Sequence, residues 1–476
     1  MPTALRGLAL LTFLVAGAFS AHSQDAPVFR AGAATSNVTP PLGLSVAGHM
    51  RDRAIEHVHD ELHARCLVID DGTSQLAIVL VDSCMIPRDI FDAAKRIASD
   101  RTGISADHML MAATHTHSAP CSTPVFQSDP DADYQAFLTQ RIADGVVRAN
   151  NNLVPAKIGW HSASVEDEVF NRRWKMKPGR VGQNPFGVDT DQAKMNPPRA
   201  SDDLVEPWGP TDPEVSFIAV ENIDGAPIAL LANYSLHYVG GVPGNQVSAD
   251  YFGVFAERIG ELLNAEGQDP PFVAMMSNGT SGDINNINFR SPAQPAQPYE
   301  KMRSVAENVA SAVHEAYSAV SFESGVTLDA AQVDIELGVR LPSEKEVISA
   351  QEIVAAVETP DMRALREIYA RETILLSEYP TAVTVPIQVV RIGDLAIGAI
   401  PCEVFVEIGL QFKNTSPFAD NFVIELANGY YGYLPTPDQH ALGGYETWRA
   451  RSSFLEVEAS DKITEAMNGL VQELHE

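Results

Sequence analysis

Residues 109–118 read Met109-Leu110-Met111-Ala112-Ala113-Thr114-His115-Thr116-His117-Ser118, an apolar run that ends on two histidines one residue apart. An apolar run of this length suits a buried strand, and strand alternation predicts His115 and His117 on one face, where the strand opens into a loop. Metals and catalytic groups sit at such junctions. Two solvated imidazoles at a strand end would give the same pattern, so the surrounding sequence has to decide.

Upstream, residues 30–32 read as a strand followed by the turn Thr39-Pro40-Pro41-Leu42-Gly43, and residues 65–70 and 75–82 flank Asp71-Gly72-Thr73-Ser74 as a hairpin. Residues 90–99 have helical periodicity. Downstream, residues 134–150 form an amphipathic helix with Phe137, Ile142, Val146 and Val147 on or near one face. A second hairpin, 215–221 with 227–236, turns at Asn222-Ile223-Asp224-Gly225 and delivers His237. The apolar run 272–276 breaks into the polar turn 277–283, which suits close backbone approach to a ligand. Residues 299–320 read as a helix, and 344–377 as largely helical and peripheral. A strand at 395–400 leads into Pro401-Cys402-Glu403, another at 422–426 leads into Asn428-Gly429-Tyr430-Tyr431-Gly432-Tyr433, and after Tyr445-Glu446 a helix at 461–474 closes the chain. Interleaved strands and helices predict an α/β fold of mixed sheets with flanking helices, as one domain over 24–476.

Between these elements, residues 171–213 shift to Gly, Pro, Asn, Asp and Lys with little periodicity. A loop of that length inside a compact domain is disordered or functional, and we read it as a lid. It carries Trp174, Trp208 and the basic residues Arg172, Arg173, Lys175, Lys177 and Arg180. The indoles would line an acyl groove, stack on a sugar ring or pin the lid to the core, and the cations would meet an anionic headgroup.

Residues 1–23 have the form of a cleavable export signal, with Arg6 before an apolar stretch from Leu8 to Phe19 and Ser20-Ala21-His22-Ser23 at the cleavage neighbourhood. That stretch is shorter than the ~20 residues a membrane span needs. A secreted or periplasmic protein without a transmembrane segment is therefore expected. The 476-residue chain is 45% hydrophobic with 31 prolines and 32 glycines, a globular, loop-rich composition. Cys66, Cys84, Cys121 and Cys402 are too scattered for a disulfide framework and read as buried thiols. A net charge of −29 excludes nucleic acid and a basic-patch membrane anchor, while leaving transient contact with a membrane surface open.

Four strand-to-loop junctions thus carry His115 with His117, His237, Glu403 and Tyr433. Two imidazoles, a carboxylate and a nearby phenolic oxygen would satisfy a zinc ion that keeps a position for water, but spacing alone cannot assemble groups so far apart in sequence. A buried tyrosine ordinarily packs its ring and hydrogen-bonds its hydroxyl. The motif order Gly32, Thr39-Pro40, His115-Thr116-His117-Ser118, Asn171-Arg172, Thr211-Asp212-Pro213-Glu214-Val215, His237, Gly282-Asp283, Pro401-Cys402-Glu403 and Tyr433 to Tyr445 resembles the catalytic domain of the neutral, non-lysosomal ceramidase family across nearly all of the mature chain. The resemblance implies one zinc per chain held by His115, His237, Glu403 and Tyr433, with Thr436-Pro437 matching the family's Thr-Pro pair after that tyrosine. It also implies His117, Arg172 and Tyr445 as catalytic residues lining the substrate site.

The chain departs from that family pattern in two places. Gly282-Asp283-Ile284-Asn285-Asn286-Ile287 puts Asn285 where the family carries a serine needed for ceramidase activity, and no immunoglobulin-like domain is expected after the last motif. An amide side chain is neither a nucleophile nor a proton shuttle at neutral pH, so Asn285 is expected to bind substrate, with Trp174 and Trp208 beside it. The expected function is zinc-dependent hydrolysis of an N-acyl amide of a lipid or other small molecule. Its rivals are hydrolysis of another amide or ester, such as an N-acyl amino sugar, and a non-catalytic binding role. An amidohydrolase barrel using both histidines as ligands would need eight βα units, and the two hairpins oppose it.

Overall fold

The computed structural model describes Met1 and residues 28–359 and 361–476, so the expected export signal lies outside the described residues apart from Met1. Two mixed sheets stack at its centre. The larger has eight strands in the order Val273–Asn278, Pro227–Tyr234, Glu214–Asn222, Val154–Ser164, Arg30–Asn37, His63–Asp70, Gln75–Val81 and Met109–Ala113. Its outermost pairs at either edge are parallel and the inner pairs antiparallel. The smaller has four, in the order Leu328–Gly338, Ala382–Ile392, Leu395–Ile400 and Asp420–Glu425. An open sheet rich in antiparallel pairs is incompatible with the (β/α)₈ barrel.

Strand alternation explains the layering. Leu67, Ile69, Ile78 and Leu110 point inward and pack with Val390, Ile392, Ile397 and Ile424 of the smaller sheet. Their neighbours Cys66, Val68, Val79 and Met111 point outward onto Phe91, Leu138, Ile142 and Val146 of the helices Arg88–Thr102 and Ala132–Asn151. Helices Asp250–Leu262 and Glu300–Tyr317 cover the rest of that face, and Val406–Thr415 and Ala459–His475 cover the smaller sheet. The result is a helix–sheet–sheet–helix sandwich whose loops at one end gather the motif residues. No helix among the described residues is long and apolar enough to cross a membrane, and all four cysteines are buried free thiols.

Three expectations need correction. The strand Met109–Ala113 stops before the histidines, and His115 has a φ of 73°, so a left-handed turn rather than strand alternation aims the two rings. Residues 171–213 are not structureless but carry a small three-stranded sheet, Leu204–Pro207, Arg173–Met176 and Ala193–Met195, whose strands are too short to show a period. The region 344–377 forms helices Glu344–Ala355 and Leu365–Leu376, and the second is not peripheral: Tyr369 is buried and meets Trp448 edge to face, with ring centroids 5.6 Å apart.

The helix Arg88–Thr102 is tied to the loop after Asp420–Glu425 by a buried lysine. Lys95 Nζ donates to Asn428 Oδ1 at 2.8 Å, and the same oxygen accepts from the Met111 amide at 3.2 Å. Burial pushes the Lys95 ammonium down to about 8. The folded chain therefore releases this proton before the unfolded chain does. Its penalty is full below pH 8 and vanishes as pH rises to about 10.4, a gain of about 3 kcal/mol. Lys95→Met is expected to remove that gain, so urea melts of the two proteins at pH 7 and pH 10 should differ by about that amount in their pH response.

Candidate metal centre and its surroundings

Both central imidazoles are held by a backbone carbonyl, and the central carboxylate by a tyrosine hydroxyl. The His115 amide donates to Ser83 O at 2.8 Å, and its Nδ1 lies 2.7 Å from Cys84 O. His237 follows the strand Pro227–Tyr234, with Nδ1 3.1 Å from Ser281 O. A ring nitrogen facing a carbonyl must donate, which leaves Nε2 of each neutral imidazole as a bare lone pair. Those two Nε2 atoms lie 3.0 Å apart. Glu403 pairs with Tyr433 in the short parallel ladder Glu403–Val404 with Tyr433–Leu434. Its Oε2 is 3.3 Å from His115 Nε2 and 3.9 Å from His237 Nε2, and it is buried with no hydrogen-bond partner. Oε1 accepts from the Tyr430 hydroxyl at 3.0 Å.

Two lone pairs and an orphaned carboxylate oxygen packed this closely repel one another unless a cation lies between them. Ligands 2.0–2.1 Å from a tetrahedral zinc sit about 3.3 Å from each other, close to the spacing here. The donor set and the orphaned oxygen therefore fit a divalent ion of the zinc type. Cys84, His115 and His117 also cluster, but that grouping needs a thiolate that burial disfavours.

The remaining expected residues surround this core. His117 Nε2 is 3.3 Å from His115 Nε2, and its ring stacks on Tyr238 at 3.7 Å. Burial, then the neighbouring rings of His115 and His49, hold His117 well below the usual imidazole range. Gly48, at a φ of 83°, lies so close that a Cβ there would come within 2.4 Å of the His117 ring. Arg172 donates to Glu446 Oε1 at 2.9 Å, Gly282 O at 2.7 Å and the Tyr433 hydroxyl at 3.2 Å. Burial works against that guanidinium charge, but Tyr433 and Glu446 outweigh it and keep it protonated. For Tyr433, burial first and the Glu403 charge second push the phenol well above its usual range. Tyr445 meets Tyr433 edge-on at 5.7 Å.

Asn285 lies in a two-residue ladder opposite Phe170, three residues beyond Gly282. Its Nδ2 donates to Asn196 Oδ1 at 2.7 Å and its Oδ1 accepts from the Ile287 amide at 3.0 Å, so both ends of the amide are engaged. The two tryptophans anchor the small sheet. Trp174 is buried against Phe289, with Nε1 on Asn171 O, and Trp208 Nε1 reaches Gln192 O. Most of the basic cluster is likewise spent on ion pairs: Arg173 with Glu446, Lys175 with Glu206 and Arg180 with Asp203. Tyr430 and Glu446 were given no role from sequence. Their neighbours Tyr433 and Tyr445 marked the segments, but nothing in residue spacing tells which tyrosine or carboxylate of a pair turns inward.

Buried imidazoles and a carboxylate at the loop ends of a stacked α/β sandwich, flanked by a fixed guanidinium, define a protein with a candidate cation-binding centre. Residues 29–297, more than half of the chain, match the profile described as neutral/alkaline non-lysosomal ceramidase, N-terminal. The chain belongs to that family. It is 22% identical to the neutral ceramidase of Mycobacterium tuberculosis (strain ATCC 25618 / H37Rv), over 83% of this chain and 69% of that protein. It is 23% identical to neutral ceramidase B of Dictyostelium discoideum, over 49% of this chain and only 32% of that protein's length. Among solved structures, neutral ceramidase from Pseudomonas aeruginosa superposes with a TM-score of 0.72 at 18% identity, covering 94% of this chain and 75% of that one. A ceramidase complexed with C2 gives 0.69 at 17% identity, over 95% and 76%. At such identities the likeness establishes the fold.

Proposed function

We propose that this chain is an exported zinc-dependent hydrolase that cleaves an N-acyl amide bond, using one zinc held by His115, His237 and Glu403 with Tyr433 beside them. The observation that carries this reading is the buried, unpartnered Glu403 Oε2 facing two imidazole lone pairs. Zinc bound there would supply a Lewis acid, polarising the acyl carbonyl and acidifying water. His117, neutral because it is buried, is placed to accept a proton at Nε2 and pass it to the leaving amine. Arg172 is a permanent cation fixed by Glu446 and Gly282 O. It stabilises oxyanion charge together with the Tyr433 and Tyr445 side of the site.

The curated names of the relatives suggest ceramide as substrate. The engaged amide of Asn285 favours a different amide or ester, because no hydroxyl stands at that position. The test is zinc content together with hydrolysis of a panel: fluorogenic N-acylsphingosine, an N-acyl amino sugar and an acyl ester. One zinc per chain with turnover of the sphingosine amide would establish a ceramidase despite Asn285. Turnover of another panel member alone would move the substrate class, and absence of bound zinc would sink the reading.

A further inference from the structure

Behind the metal-facing side chains lies a carboxylate that does not face the site. Glu425 ends the strand Asp420–Glu425 and is fully buried. Its Oε1 accepts from Ser281 Oγ at 2.7 Å, while its Oε2 accepts from the Val404 amide at 2.7 Å and the Ser281 amide at 3.2 Å. Ser281 is the residue whose carbonyl receives His237 Nδ1, and Val404 follows Glu403 directly. The same two segments also meet through the Gly282 amide, which donates to Val404 O at 2.8 Å. One side chain thus holds the backbone behind two of the three central groups. The segments it joins arise from different sheets, since His237 follows Pro227–Tyr234 of the larger and Glu403 follows Leu395–Ile400 of the smaller.

We propose that Glu425 is a positioning residue for the cation site: by clamping the Ser281 and Val404 backbones together it sets the separation between His237 Nε2 and Glu403 Oε2. The inference rests on the zinc reading above. Its physical basis is that a ligand's affinity depends on how its outer hydrogen bonds orient it, and removal of such a partner typically weakens metal binding about 10–100-fold. Without the clamp, the two segments would be joined by the Gly282 amide on Val404 O and by the Val406 amide, which donates to Asp283 Oδ1 at 2.9 Å, neither of which touches the Ser281 backbone.

The hydrogen-bond pattern lets position be separated from the chemistry of the carboxyl group. In Glu425→Gln, an amide oxygen at the Oε2 position keeps both backbone amides, and the NH₂ at the Oε1 position donates to Ser281 Oγ, which can accept. Glu425→Asp keeps the carboxyl group but is one methylene short of spanning both segments, and Glu425→Ala removes the clamp. The measurements are zinc affinity by competition with a chromophoric chelator and the visible spectrum of the Co²⁺-substituted protein, which reports coordination geometry independently of turnover. Alanine and aspartate are each expected to weaken zinc binding by about tenfold or more and to alter the Co²⁺ bands, with glutamine near the wild type in both. Aspartate serves if the alanine variant does not fold. Wild-type affinity and spectrum in the aspartate variant would overturn the proposal. So would a glutamine variant as weak as alanine beside a normal aspartate variant, which would make the carboxyl group itself rather than its position the cause. A wild-type protein that binds no zinc would fail earlier, at the metal reading itself.

Discussion

His237→Ala is expected to lose bound zinc and essentially all turnover, a fall of at least about 10³-fold, whereas His117→Ala keeps the zinc and loses about 10²–10⁴-fold in kcat. The contrast follows from what each ring faces. His237 Nε2 has His115 Nε2 at 3.0 Å and Glu403 Oε2 at 3.9 Å, so its removal leaves one imidazole and one carboxylate, too few donors for a tetrahedral ion. Loss of an inner ligand should also exceed the ~100-fold that loss of an outer hydrogen bond reaches. His117 is stacked on Tyr238 outside that group, and its absence removes a proton carrier. Elemental analysis of the purified variants beside initial rates checks both halves. Zinc retained in His237→Ala, or lost in His117→Ala, would exchange their roles.

The second large effect is on stability. Arg173 is fully buried, bonded to Glu446 Oε2 at 2.7 Å, Gln439 Oε1 at 3.0 Å, and the Gln439 and Gly443 carbonyls at 3.1 and 2.8 Å. Burial alone would raise the Glu446 carboxyl, but the charges of Arg173 and then Arg172 hold it below the usual range. Arg173→Met would strand that carboxylate with half its compensation and leave two carbonyls and an amide oxygen unpaired. The expected cost is about 3–5 kcal/mol in denaturant unfolding. Arg172 would lose its shared anchor as well, so kcat should fall with little change in zinc content. A cost under about 1 kcal/mol would show that the small sheet does not depend on this ion pair.

Much of this architecture is legible in the sequence because its signals are local. The hairpins around Asp71-Gly72 and Asp224-Gly225 carry turn residues between β-rich runs, and the helices at 88–102, 132–151 and 300–317 carry an apolar stripe that covers a sheet face. Val154–Ser164 and Leu328–Gly338 also carry a period-2 signal, with Ala156, Ile158 and Trp160 alternating in the first and Val333, Ile335 and Leu337 in the second, which the sequence reading above leaves unused. The site was legible only in part. His115, His237 and Glu403 stand at recognisable junctions, but their convergence depends on pairings between distant strands. The lone pairs, the orphaned Oε2 and the inward turn of Tyr430 are properties of packing that no residue spacing encodes.

The convergence also bears on modularity. His115, Arg172 and His237 fall within residues 29–297, the segment that matches the family profile, whereas Glu403, Tyr433 and Glu446 come from the part beyond it. A fragment ending at residue 297 would keep the imidazoles and the guanidinium but lose Glu403, which completes the donor set, and Glu446, which anchors Arg172. Neither segment holds the whole of the chemistry. The chain can therefore exchange surface loops or gain appended domains, but it cannot be divided at that boundary and keep a working centre in either piece.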